Sequence, residues 1–106
     1  MSGSKTIIAD DKLLDNVHPG DILREDFLIG TEIPLAEVAE GAQIDPVMLR
    51  EIVASRRDID ASVDARLTRY FGMSDGFFLR LQNSYDMEEV ARNEAEALAR
   101  IVRRAA

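Results

Sequence analysis

Positions 47 to 57 bring an apolar side chain, a thioether, a carboxylate and three guanidinium groups into about three helical turns: Val47, Met48, Glu51, Arg50, Arg56 and Arg57. At 3.6 residues per turn, Leu49, Ile52 and Val53 fall on one face. Val47, Glu51 and Ala54 fall on the opposite one, flanked by Arg50 and Met48. The side chains that discriminate bases in a DNA major groove are Arg or Lys for guanine and Asn or Gln for adenine. The centre of this face carries none of them. Val47 can touch a thymine methyl, and Glu51 can accept from a cytosine amine. A carboxylate in a phosphate-walled groove is repelled unless it is paired, which leaves Arg50, Arg56 and Arg57 for phosphates. Base readout and a packing or protein-contact role are both open for this helix.

The elements that would position these residues are two short helices meeting at a corner, within residues 33–57. The first repeats apolar residues at Leu35, Val38, Ala39 and Ala42, the i, i+3, i+4, i+7 spacing of one helical face. The second starts with Asp45 as N-cap and Pro46 at its first position. It buries Leu49, Ile52 and Val53. Two helices joined by about four residues form the helix-turn-helix hairpin, whose second helix lies in the major groove when the unit binds DNA.

No constellation supports catalysis. His18 is the single histidine, stands beside Pro19 and reads as part of a helix start. Asp10-Asp11, Glu25-Asp26 and Glu88-Glu89 are adjacent pairs whose side chains diverge by about 100° on a helix. They identify no metal site. Gly41, Gly72 and Gly76 form no phosphate-cradling motif, and no cofactor is implied. With 106 residues the chain is one domain able to build a single core. The absence of Cys removes disulfides and thiolate zinc sites and fits a cytoplasmic protein. No apolar run is long enough to span a membrane.

The net charge of −7 is an awkward sign for a nucleic-acid binder, but its distribution is uneven. Residues 1–44 hold three basic and nine acidic side chains, residues 45–80 six of each, and residues 81–106 four and five. The acidic first third, with Asp21, Glu25 and Asp26 on its first helix, suits a basic protein partner. Phosphates can approach only the neutral middle.

Residues 1–16 show no period and read as a flexible arm. Val17-His18-Pro19-Gly20 launches a first helix over about 19–29, with Leu23 and Phe27 at i, i+4 and Ile22 and Ile29 at i, i+7. Gly30 stops it with a positive φ. Ile59 plugs the loop after the hairpin. A fourth helix spans about 61–71, capped by Asp60, burying Val63, Leu67 and Tyr70 or Phe71, and ending at Gly72. Ser74 caps a fifth helix carrying Phe77, Phe78, Leu81 and Tyr85. This aromatic cluster is core, with surface to spare for a dimer interface. From Met87 the helical pattern continues to the end on a thin apolar stripe of Val90, Leu98, Ile101 and Val102. Glu88 with Arg92 and Glu96 with Arg100 are i, i+4 pairs in the favourable order.

Three stretches together resemble one family: His18-Pro19-Gly20-Asp21-Ile22-Leu23-Arg24-Glu25-Asp26-Phe27-Leu28, Glu51-Ile52-Val53-Ala54-Ser55-Arg56-Arg57-Asp58-Ile59, and Arg66-Leu67-Thr68-Arg69-Tyr70-Phe71-Gly72-Met73-Ser74 with Phe77 to Gln82 and Tyr85-Asp86-Met87. They follow the pattern of HigA/VapI-type antitoxins, a branch of the Xre, lambda-repressor-like helix-turn-helix proteins, in order from His18 to Met87. The resemblance implies an all-α, five-helix fold with an additional C-terminal helical extension. The arm would occupy 1–16, the helix-turn-helix domain 17–86 and the extension 87–106. It also implies a homodimer, autorepression through operator DNA, and a basic ribonuclease toxin of RelE-like fold as partner. A stand-alone regulator, or an interaction module that has lost its DNA face, is the alternative. The chain departs from the family at Leu35, where a phosphate-contacting Gln is usual, and at Val47 and Met48, where a polar residue and Arg are usual. Gln43 replaces the turn glycine, and Ala54-Ser55 replaces Asn-Gly.

Overall fold

The computed structural model describes residues 14–105 of the chain. Among them every regular element is helical: α1 Pro19–Ile22, a π-helical segment Leu23–Ile29, α2 Leu35–Ala42, α3 Pro46–Val53, α4 Ala61–Phe71, α5 Phe77–Asn93 and α6 Ala95–Ala99. The all-α class read from the sequence is correct. Helix starts follow side-chain chemistry. His18 caps α1, Asp45 caps α3 by accepting from the Val47 amide at 2.8 Å, and Asp60 caps α4 by accepting from Val63. Gly72 ends α4 in the left-handed region at φ 72°.

The first helix runs over the expected residues but with a different interior. Its second part widens to i→i+5 hydrogen bonding, which the Gly30 amide continues by donating to the Glu25 carbonyl at 3.0 Å. The buried pair becomes Leu23 and Leu28, five apart, and Ile29 turns outward at 58% exposure. The inward i, i+7 placement of Ile29 is therefore corrected. So is the role of Gly30, which sits at φ −60°; the residue with positive φ is Glu32 at 60°.

One core joins the π-helical segment and α2 to α5: Leu23, Leu28, Val38, Ala39, Ala42, Ile44, Leu49, Ile52, Ile59, Val63, Leu67 and Phe78. Phe27 extends it through tilted and edge-to-face contacts with Phe71, Phe78 and Phe77 at 5.1, 5.2 and 6.0 Å. Two glycines let a neighbour approach the backbone closely. A Cβ on Gly20 would lie 1.7 Å from the Ile52 carbonyl oxygen, so α1 rests directly on the end of α3. A Cβ on Gly41 would lie 2.2 Å from the Tyr70 ring.

His18 is buried, and both of its ring nitrogens are used. Nδ1 accepts from the Gly20 amide at 2.9 Å, so the proton sits on Nε2, which faces Asp58 Oδ1 at 3.1 Å. The ring stands edge-on to Tyr85 at 4.9 Å. Burial, and then Glu89, Asp58 and Asp86, push the Tyr85 phenol above its ordinary value.

The start of α5 differs from expectation. Its N-cap is Gly76 at φ 90°, and Ser74 offers only its carbonyl, accepting from Phe77 at 3.3 Å. The side-chain cap comes from α4. Asp64, 3% exposed, accepts from the Gly76, Phe78 and Leu79 amides at 2.7, 2.7 and 3.1 Å. Carboxylate bonds to helix N-terminal amides are the stronger, charge-assisted kind and also meet the positive end of the helix dipole.

The first thirteen residues of the arm lie outside the described residues. Asn16 donates to the Tyr85 carbonyl at 2.9 Å and to Glu89 at 3.0 Å, so residues 14–16 are held along α5. α5 runs through 86 to Asn93. Continuous helix to the end is corrected: the chain breaks at Glu94, α6 buries nothing, and residues 101–105 are not helical. With Ile101 71% and Val102 87% exposed, no packing offsets the entropy of ordering them. The Glu88–Arg92 pair forms at 2.7 Å, while Arg100 ends α6 without an ion pair to Glu96.

Replacing Asp64 with Ala strands three amides at the start of α5. Urea unfolding should show a loss of about 3 kcal/mol or more. Asp64→Asn should recover part of it, and Asp75→Ala, which removes only a long contact to Thr68, should cost about 0.5 kcal/mol.

Candidate nucleic-acid interface

α2 and α3 are eight residues each and are joined by Gln43, Ile44 and Asp45. The corner turns through Gln43 in the left-handed region at φ 58°, and the Ile44 amide closes it on the Ala39 carbonyl at 2.9 Å. Arg66 of α4 donates to the Gln43 carbonyl at 3.1 Å, fixing the corner from behind. α3 ends in the same way. Ser55 lies at φ 63°, its amide donates to the Ile52 carbonyl at 2.9 Å, and the Arg56 amide donates to the Glu51 carbonyl at 2.8 Å. Both left-handed positions keep their geometry without glycine, at a cost of about 1–2 kcal/mol each.

The outward face of α3 matches the helical reading. Val47 is 53% exposed, Arg50 and Ala54 are exposed, and Leu49 and Ile52 are fully buried. Val53 is only half-buried. Met48 differs from a groove-facing residue: it is half-buried, packs against the core and lines a shallow cavity with Ile44 and Val63. Glu51 is paired, with Arg57 Nε donating to its Oε1 at 2.7 Å, and both side chains are partly exposed. Pairing removes the bare charge that opposed a carboxylate in a DNA groove. It also occupies Arg57, so Arg50 and Arg56 are the cations of this face without an ion pair among the described residues.

The other sequence-predicted site residues fall elsewhere. Asp21, Glu25 and Asp26 lie on the first helix. Arg24 bridges Asp21 at 3.1 Å and Glu25 at 2.8 Å, and Ser55 donates to Asp21 at 3.3 Å. Asp26 is exposed without an ion pair among the described residues. Of the aromatic cluster, Phe78 is wholly buried in its own chain, whereas Phe77, Leu81 and Tyr85 keep part of their surface. Arg66 and Asp64 position the hairpin and its support, and no local sequence pattern points to either. Among the described residues no group of three His, Cys, Asp or Glu could hold a metal ion, and no helix is long and apolar enough to cross a membrane.

An eight-residue helix, a left-handed corner and a second eight-residue helix with an exposed outer face define a helix-turn-helix protein. No family model matches the chain. Virulence-associated protein I of Dichelobacter nodosus is 36% identical over 72 residues, 68% of this chain and 67% of its own length. The antitoxin HigA of Pseudomonas aeruginosa, solved with the higBA promoter, superposes with a TM-score of 0.78 at 28% identity, covering 87% of this chain and all of that one. A second Pseudomonas aeruginosa protein, solved with its 28-base-pair operator DNA, gives 0.75 at 33% identity, over 82% of this chain and 97% of that one. The chain belongs to the HigA/VapI-type antitoxins of the Xre helix-turn-helix family.

Gln43→Gly should raise stability by about 0.5–1 kcal/mol, because glycine takes the left-handed corner without a Cβ penalty. Thermal unfolding at fixed pH checks this. Ser55→Gly should gain less, since it forfeits the hydroxyl contact to Asp21.

Proposed function

We propose that this chain is an antitoxin that binds operator DNA through α3 and neutralises a basic ribonuclease. The observation that carries the DNA half is the neutralised Glu51 beside exposed Val47. Glu51 and Val47 are one helical turn apart on the outward face, and Oε2 of Glu51 is left to accept from a cytosine amine. Val47 supplies contact to a thymine methyl. Similarity to proteins solved on promoter and operator DNA supports the reading. Phosphate contact rests on Arg50 and Arg56, doubled by a homodimer. The dimer uses the exposed parts of Phe77, Leu81 and Tyr85, with Phe78 behind them as core.

The partner half rests on charge. Glu25 and Asp26 are exposed on a helix whose single cation, Arg24, is already paired. Such a surface attracts a cationic nuclease and speeds encounter. Asp21 adds its charge while tying α1 to the end of α3 through Ser55.

Fluorescence anisotropy on the DNA upstream of the gene, at about 0.15 M salt, tests operator binding. Specific binding should exceed nonspecific by about 10³ or less. Arg56→Ala should reduce the log–log salt slope by about 1. Arg57→Ala should weaken binding further, because it bares Glu51. Nanomolar binding indifferent to Arg50 and Arg56 would overturn this account of the face.

Stopped-flow mixing with a ribonuclease encoded beside the gene tests the partner. Glu25→Lys with Asp26→Lys should slow association about tenfold at low salt, with little change in dissociation. An unchanged rate places the docking surface elsewhere. Sedimentation at micromolar concentration should show a dimer, and a monomer alone would remove that part of the proposal.

A further inference from the structure

Beside the acidic first helix lies an apolar recess that no side chain of the described residues fills. Leu28, Ile29, Ile33, Pro34, Leu35 and Val53 line a groove of about 450 Å³ between the end of the π-helical segment, the 30–34 loop and the ends of α2 and α3. Leu28 forms part of its floor and is 7% exposed, while Ile29 is 58% exposed at its edge. The π-turn shapes this arrangement: its five-residue spacing turns Leu28 inward beneath the exposed Ile29. The charges at the border of the recess leave a negative surplus. Arg24 and Glu32 border it, and Arg24 is neutralised by Asp21 and Glu25. Glu32 is exposed and makes no ion pair among the described residues.

We infer that this groove receives an apolar side chain projecting from a cationic protein segment. The inference rests on the proposed basic partner and locates the apolar half of that contact. Phosphate is the wrong occupant, because the carboxylates repel it and the one bordering cation is already paired. A neutral apolar ligand would fill the groove but gain nothing from its surroundings. A cationic segment with an aliphatic anchor satisfies both features. Burial of the anchor is the source of affinity, and the surrounding carboxylates set orientation and rate.

The test uses the full chain, isotope-labelled for amide NMR, and three helical peptides of one length. One is amphipathic leucine and lysine, one has serine for every leucine, and one has glutamate for every lysine. The leucine–lysine peptide should shift the amides of Ile29, Ile33, Leu35 and Val53. It should bind about tenfold or more tightly than the serine–lysine peptide, since one buried leucine suffices for that factor. Ile29→Ser with Leu35→Ser, checked for an unchanged spectrum elsewhere, should remove the advantage.

Equal binding of the two cationic peptides at Glu25, Asp26 and Glu32 would overturn the groove while leaving the basic-partner reading intact. Binding by neither would remove both. Equal binding of the leucine–glutamate peptide, or broadening of the groove amides with protein concentration alone, would overturn the inference in favour of a general apolar surface or a second copy.

Discussion

The buried carboxylate of Asp64 holds α4 and α5 in one arrangement, and the rest of the domain is built against that arrangement. Three amides at the start of α5 point at one side chain 12 to 15 residues earlier, 3% exposed, in a setting where each unmet donor is costly. With α5 fixed, Phe78 closes the core and Gln82 reaches the connecting loop. There its Oε1 accepts from the Ile59 amide at 2.8 Å and seats the apolar plug. Further along, Tyr85 packs on His18, and the Tyr85 carbonyl receives Asn16. One helix thus collects the loop after α3, the cap of α1 and the approach to the first helix.

The hairpin is held by backbone contact as much as by side chains. Gly20 allows α1 to touch the carbonyl of Ile52, and Gly41 allows α2 to receive the Tyr70 ring. Arg66 then ties the corner carbonyl to α4. These restraints explain how Gln43 and Ser55 remain in left-handed geometry where glycine would be less strained. The surrounding packing over-determines the backbone there.

Electrostatics divide the surface into two regions with different uses. On α3 the carboxylate is matched by Arg57, leaving one apolar contact and two arginines without an ion pair among the described residues. On the first helix the matching runs the other way: the single arginine is consumed by carboxylates, and the surplus is negative around an apolar groove. A phosphate backbone and a cationic protein would be drawn to different places on the same small domain.

The hairpin, the helix starts at Asp45, Pro46 and Asp60, and the stop at Gly72 were determined by the sequence alone, because caps and 3.6-residue periodicity act over one or two turns. So were the outward placement of Val47 and the role of His18 at a helix start. What the tertiary structure decided lies at longer range. No local rule connects Asp64 to amides at 76–79, or Arg66 to a carbonyl at 43. The pairing of Glu51 with Arg57 crosses the end of α3, where the left-handed turn at Ser55 brings the chain back. The widening of the first helix, which buried Leu28 and exposed Ile29, satisfies the core around Phe27 rather than any propensity of residues 23–29. The apolar stripe past Met87 shows the converse: a helical pattern read over twenty residues holds only while something packs against it, and after Asn93 nothing in the described chain does.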